Sequence, residues 1–186
     1  TVEDTIGANF DFVNDPAKIS LTANGEKLAP VKIDTTTYGF GKKSDGTYRF
    51  TLKYQAGENE KLTLTLNEAA APSRPVVLEY SELLVNKPTE PGTHTLKVNE
   101  SAVLHPIDGN GVAGEAYEFP VPTVDYTVAA PDPAPQPGAD KPSDSGTTAD
   151  KPGAKSALAK TGDEAFVMGM VCLLAAGASA CVIATA

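Results

Sequence analysis

Five residues near the end of the chain, Leu158 to Gly162, read Leu-Ala-Lys-Thr-Gly and contain a peptide bond that is open to attack. A thiolate that attacks the carbonyl of Thr161 needs free access to the bond on its far side. Gly162 leaves that side open because it carries no side chain. The bond between Thr161 and Gly162 is therefore the place in this sequence where the residue types favour covalent chemistry.

The segment that follows these residues is long and apolar. It runs for 21 residues from Phe166 to Ala186 and contains no charged side chain. As a helix it would be about 31 Å long, which matches the roughly 30 Å of a bilayer core. The sequence predicts a transmembrane helix within residues 163–186 that holds the pentapeptide just outside the lipid.

The segment before the pentapeptide has a different composition. Residues 130–157 contain six prolines among Ala, Asp, Ser, Gly and Lys, and no aliphatic residue larger than Ala. Such a segment cannot form a core, and its prolines favour an extended chain of about 3.1 Å per residue. We expect a disordered Pro-rich linker that spans on the order of 90 Å when fully stretched.

Taken together, the linker, the pentapeptide and the apolar run resemble the sorting signal of LPxTG-type cell-wall proteins of Gram-positive bacteria, in its Leu-Ala-x-Thr-Gly variant. The resemblance implies that a sortase docks Leu158, Ala159 and Lys160 and cleaves after Thr161. Thr161 is then joined covalently to peptidoglycan, and Gly162 leaves with the membrane segment. The implied location is the cell wall, and the protein is held in the membrane until the sortase cleaves it.

The signal of that family ends in a basic cluster after the apolar run, whereas this sequence stops at Ala186, so either the sequence is cut just short of that cluster or the anchor differs. Two alternatives stay open. A lipid anchor of the GPI type also combines small residues, here Gly153, Ala154 and Ser156, with a polar spacer and an apolar tail. The other alternative is a membrane anchor that is never cleaved.

Residues 1–129 show the period-two alternation of short antiparallel strands. The clearest example places Tyr48, Phe50, Leu52 and Tyr54 on one face, and Asn24-Gly25 is a typical hairpin turn. No helical stripe is present. The sequence predicts an all-β domain, an antiparallel β-sandwich of eight to ten strands with Greek-key connections.

This domain also resembles the immunoglobulin-like repeats of Gram-positive fimbrial and adhesin proteins. The resemblance lies in Val2-Glu3-Asp4-Thr5-Ile6 with Phe10 and Val13, in a central Leu-x-Tyr strand, and in the closing Glu118-Phe119-Pro120-Val121-Pro122. The resemblance implies a stalk or adhesive module on the bacterial surface.

Such repeats commonly contain an isopeptide bond between Lys and Asn, formed beside a buried acid. Strand parity places Lys32, Lys53 and Lys97 on outward faces, where their amines stay charged and solvated. The candidate acceptors are Asn67 and Asn99. The donor lysine could belong to a strand upstream of Thr1, because the sequence lacks an initiator Met and an export signal and reads as the C-terminal part of a longer secreted protein.

Composition and charge argue against several functions. The net charge of -9 disfavours nucleic acid as a partner. Both cysteines lie in the apolar run, which excludes disulfides and thiolate metal sites from residues 1–129. His94 and His105 are isolated, and Asp108 to Gly111 reads as a turn. We expect no metal, no cofactor and no enzymatic activity.

The predicted function is therefore a sandwich module that acts as a stalk or spacer on the cell wall. The alternative is a ligand-binding adhesin module whose partner is a host protein or a glycan. We favour the stalk because the aromatic residues alternate inward, and Trp is absent.

Overall fold

The computed structural model describes residues 1–68, 72, 74–108, 110–131, 168–174 and 181–185, the last two ranges as backbone only. The described strands are, in chain order, β1 (Val2–Ile6), β2 (Phe10–Phe12), β3 (Ile19–Ala23), β4 (Glu26–Leu28), β5 (Val31–Lys32), β6 (Thr37–Lys42), β7 (Tyr48–Gln55), β8 (Lys61–Leu66), β9 (Val76–Leu84), β10 (Gly92–Lys97), β11 (Asn99–Leu104), β12 (Tyr117–Glu118), β13 (Thr123–Val128), β14 (Met168–Leu174) and β15 (Cys181–Thr185).

Two larger sheets and one ribbon contain these strands, and every pairing is antiparallel. The first sheet has seven strands in the order β12-β11-β1-β8-β7-β6-β5. The second has the order β15-β14-β9-β3-β4, with β2 also paired to β9. Strands β10 and β13 form the two-stranded ribbon. The all-β prediction is confirmed, and the described part of residues 1–129 contains thirteen strands, more than the eight to ten expected.

The core lies between the inward faces of the sheets, where the alternating residues meet. Tyr38, Phe40, Leu21 and Leu52 are completely buried, and Phe50 and Tyr80 are nearly so. Inward residues of the clearest predicted strand, Phe50 and Leu52, are among them. Burying side chains of this size contributes about 1.5–3 kcal/mol each, which makes this core the main source of stability.

Two turns show how the sequence sets the local geometry. Asn24 and Gly25 have positive φ angles of 54° and 84°, and they join β3 to β4 where Ala23 pairs with Glu26. The predicted hairpin turn is confirmed. Asp108 accepts hydrogen bonds from the amides of Asn110 and Val112 at 2.8 Å each. The Asp108 segment is a turn, as predicted.

The C-terminal segment differs from the prediction of a transmembrane helix. Met168–Leu174 and Cys181–Thr185 are strands, and β14 pairs with β9 along the whole of Met168 to Leu174. An open sheet edge offers unpaired backbone donors and acceptors, which an apolar segment outside a bilayer can use. Within the described ranges, no helix is long and apolar enough to cross a membrane. The linker from residue 132 onward and the pentapeptide lie outside the described residues.

Candidate functional site

A buried carboxyl group lies on the first strand. In β1 the buried positions alternate, so that Asp4 shares the inward face with Val2 and Ile6 and is 3% exposed. Asp4 pairs with Leu62 of β8 on one side and with Ala102 of β11 on the other. An acid on an interior strand of the seven-stranded sheet, with apolar residues paired on both sides, must find its hydrogen-bond partners elsewhere in the core.

Strand β9 of the second sheet supplies one such partner. Tyr80 and Glu82 are both 1% exposed and occupy inward positions of the same alternating pattern. The hydroxyl of Tyr80 donates to Oδ2 of Asp4 at 2.6 Å. This hydrogen bond joins the two sheets through the core, between residues that are 76 positions apart in the chain.

Asn99 completes the cluster from the start of β11. Its amide nitrogen donates to Oδ1 of Asp4 and, at 3.1 Å, to the Tyr80 oxygen. Asn99 and Ala102 are both buried. Regular alternation would place them on opposite faces of the strand, because they are three positions apart. A register shift between Thr5 and Ile6 explains this, since an irregularity of the β-bulge kind turns the next side chain to the other face.

Three polar atoms in this cluster have no hydrogen-bond partner among the described residues. They are both carboxyl oxygens of Glu82 and Oδ1 of Asn99. The Tyr80 hydroxyl gives its hydrogen to Asp4, and Tyr80 also lies near enough to Glu82 to lower the pKa of that carboxyl. A buried polar atom without a hydrogen-bond partner costs free energy, so these three atoms lower the stability of the folded domain.

Burial also changes how the two acids titrate. Desolvation raises the pKa of Asp4 to about 6, and the hydrogen bonds from Tyr80 and Asn99 oppose the rise. Desolvation, helped by the charge of Asp4, raises the pKa of Glu82 to about 9. At neutral pH Glu82 therefore retains its proton, whereas Asp4 is mostly ionised.

A third acid flanks the cluster. Glu60 accepts a hydrogen bond from the backbone amide of Phe12 at 2.7 Å and another from the Tyr54 hydroxyl. Its charge raises the pKa of Glu82 further. Among the described residues no ammonium or guanidinium group acts on Asp4 or Glu82 to offset these charges. The site is thus acidic and lacks a cation in the described part of the chain.

The arrangement places a carboxamide beside an ionisable acid, away from water. Asp4 contacts the amide nitrogen of Asn99, which is the atom that leaves when an amine attacks the carboxamide. A carboxyl group at this position can carry a proton from the attacking amine to the leaving nitrogen. In the residues the structure describes, no group of three His, Cys, Asp or Glu side chains is arranged to hold a metal ion.

The two predicted acceptors differ in their surroundings. Asn99 lies in the buried cluster, whereas Asn67 is exposed and donates to the carbonyl of Tyr48 at 3.2 Å and to Thr51 at 3.3 Å. The three lysines that parity placed outward, Lys32, Lys53 and Lys97, are all exposed. His94 is half-buried and its Nε2 lies 2.7 Å from the carbonyl oxygen of Glu90.

Sequence reasoning missed Asp4, Tyr80 and Glu82 as members of one site. The signal was present, because each acid stands at an inward position of an alternating strand, Asp4 between Val2 and Ile6 and Glu82 between Tyr80 and Leu84. The residues Leu158, Ala159, Lys160, Thr161 and Gly162 lie outside the described residues.

The fold and the cluster define an all-β domain of antiparallel sheets with a polar cluster buried between them. Residues 1–125 match a protein family described as tip pilin GBS104-like, Ig-like domain, so the chain belongs to this family, which is typical of Gram-positive surface pili. Comparison with curated proteins and comparison with solved structures each give no match.

Proposed function

We propose that the chain is part of a surface protein that a sortase attaches to peptidoglycan through Thr161, with residues 1–129 as a stalk or spacer. The family match over residues 1–125 carries this proposal, since pilin-type domains of Gram-positive bacteria are sortase substrates. In the sequence, a linker of 28 residues separates the domain from the Leu158–Gly162 pentapeptide.

Mass spectrometry of wall-bound protein tests this attachment. Protein released by a muralytic enzyme should end at Thr161, linked to a peptidoglycan fragment. Thr161→Ala should stay in the membrane fraction, whereas Lys155→Ala, in the linker before the pentapeptide, should reach the wall as the wild type does. A terminus elsewhere refutes the sortase proposal, and a lipid on Gly153 to Ser156 would indicate a GPI-type anchor instead.

The proposal includes a transient membrane stage for residues 163–186. In a bilayer every backbone group must be satisfied within the segment, which favours a helix over an open pair of strands. We therefore expect the segment to leave β9 when it enters lipid. Circular dichroism of a peptide of residues 163–186 in vesicles should show a helix, and a β spectrum in vesicles would count against the membrane stage.

The stalk role is separated from the adhesin role by binding assays. Four large aromatic side chains are at most 1% exposed, namely Tyr38, Phe40, Phe50 and Tyr80. They are therefore unavailable as a platform for glycans. We expect the chain to bind nothing on arrays of glycans and matrix proteins, and micromolar or tighter binding would establish the adhesin role.

As part of the stalk role we propose a cross-link at Asn99. A lysine amine from outside the described residues attacks the Asn99 side-chain carbonyl carbon, Asp4 transfers the amine proton to the amide nitrogen, and ammonia leaves. One C–N bond forms, one breaks, and no oxidant is required. The Asn99–Asp4 hydrogen bond supports this proposal. The cross-linked protein should weigh one ammonia less, and Asn99→Ala should abolish that loss.

A further inference from the structure

The two cysteines of the chain, Cys172 and Cys181, stand directly opposite each other on β14 and β15. Both belong to the apolar run from Phe166 to Ala186, and the proposed attachment to the wall gives neither of them a role. They form the last of the register pairs that begin with Met168 and Thr185. The pairing of β14 with β15 therefore brings together two residues that are nine positions apart in the sequence.

The distance between the two cysteines depends on the conformation of this segment. Opposite residues of antiparallel strands have Cα atoms about 4.5–5.5 Å apart, which lies within the roughly 4.4–6.8 Å that a disulfide spans. In a helix, nine positions separate the Cα atoms by about 13.5 Å along the axis, and Cα atoms more than about 7 Å apart cannot be bridged. A disulfide is therefore compatible with the paired strands and incompatible with a membrane helix.

Strand β14 connects this pair of strands to the domain. It pairs with β9 from Met168 to Leu174, and Cys172 lies at the register position of Leu78, which is buried. Strand β15 is the outermost of the described strands in this sheet. Cys181 therefore stands at the open edge, where another molecule can approach, whereas Cys172 stands between β15 and β9.

We infer that Cys172 and Cys181 form a disulfide that fixes the C-terminal segment as the β14–β15 pair on β9 and keeps it out of the membrane until the bond is reduced. Such a bond persists in the oxidising space outside a cell. The effect on the membrane rests on the membrane stage proposed above for residues 163–186, whereas the bond itself depends only on the register. The oxidised chain lacks the helix that holds the pentapeptide at the lipid, so its attachment to the wall waits for reduction.

The bond forms by exchange with a disulfide of another molecule, which is the oxidant. The Cys181 thiolate attacks one sulfur of that disulfide, and the other sulfur leaves as a thiolate. The Cys172 thiolate then attacks the Cys181 sulfur of the mixed disulfide and releases the second thiolate. In total, two thiols of this chain are oxidised, the disulfide of the other molecule is reduced to two thiols, and the two protons pass to the released sulfurs.

Oxidised glutathione, added to the full chain in buffer, tests whether the bond follows the register. The matched control combines Val171→Cys with Cys172→Val, which keeps the composition and moves one cysteine opposite Val182, on the other face of the strand. We expect the wild type to lose two hydrogen atoms by intact mass spectrometry. The control should instead carry bound glutathione.

Sedimentation with lipid vesicles tests the effect on the membrane. The oxidised wild type should stay in the supernatant, and dithiothreitol should move it to the vesicle fraction. Cys172→Ser cannot form the bond and should reach the vesicles with or without oxidised glutathione.

Three results would overturn the inference, and they differ in what else they refute. An internal bond that forms equally in the wild type and in the control contradicts the register and leaves the membrane stage standing. Oxidised wild type that enters vesicles as readily as the reduced chain shows that the bond does not withhold the segment. If neither the reduced chain nor Cys172→Ser enters vesicles, the proposed membrane stage is refuted and the inferred effect of the bond with it.

Discussion

Replacing Glu82 by Gln should make the folded chain more stable at neutral and alkaline pH. Glu82 has an ordinary pKa of 4.5 and a pKa of about 9 in the folded protein. Unfolding therefore releases a proton between these pH values. The unfolding free energy of the chain with Glu82 is consequently greatest below pH 4.5 and falls as the pH rises towards 9. Glutamine does not titrate, so the variant should lack this fall.

The magnitude follows from the size of the pKa shift. One pKa unit corresponds to 1.36 kcal/mol, so the 2.5 units between the ordinary pKa and pH 7 amount to about 3 kcal/mol. Glu82 is 1% exposed, so water screens little of this cost. Against a typical total of about 5–15 kcal/mol, the difference is large enough to measure.

Urea unfolding of both chains from pH 4 to pH 9 measures the effect. The difference in unfolding free energy should be small at pH 4 and grow with pH, because both side chains are uncharged at pH 4. Glu79→Gln, on the exposed face of the same strand, is the control for the exchange of Glu for Gln itself. The reasoning is wrong if the Glu82→Gln difference stays constant with pH, or if the variant becomes relatively less stable as the pH rises.

Two further substitutions test the buried cluster and its surroundings. Tyr80→Phe removes the donor to Asp4 and the acceptor for Asn99, so it should cost about 1–3 kcal/mol in urea unfolding and raise the pKa of Asp4 by NMR titration, since this hydrogen bond lowers it. Gly7→Ala places a Cβ 2.7 Å from the carbonyl oxygen of Val98, so it should lower the unfolding free energy by about 1–3 kcal/mol.

Each of these substitutions has a matched control. Tyr117 is 47% exposed, so Tyr117→Phe should leave stability within about 0.5 kcal/mol of the wild type. A Cβ at Gly114 would lie 3.1 Å from a side-chain atom of Pro106, which can move, so Gly114→Ala should cost less than Gly7→Ala. Equal losses in either pair would contradict the contacts described above.

Much of the fold was predictable from the alternation of residues. The inward faces of β7 and β9 and the outward lysines follow from a period of two, because successive residues of a strand face opposite sides. The Asn24-Gly25 turn follows from residue types that adopt positive φ readily. The C-terminal strands were not predictable in this way. A charge-free run of 21 residues has the length of a membrane helix, and only the open edge of β9 gives it a partner as a strand.

The sequence by itself determined that residues 1–129 form an all-β domain whose strands alternate inward and outward residues. It also contains the pentapeptide from which the sortase proposal comes. Only the tertiary structure decided that Asp4, Tyr80 and Asn99 meet in one cluster, since Asp4 and Asn99 are 95 positions apart and lie on paired strands. Parity tells which face a residue occupies, but strand order and the register shift after Thr5 decide which residues lie opposite it.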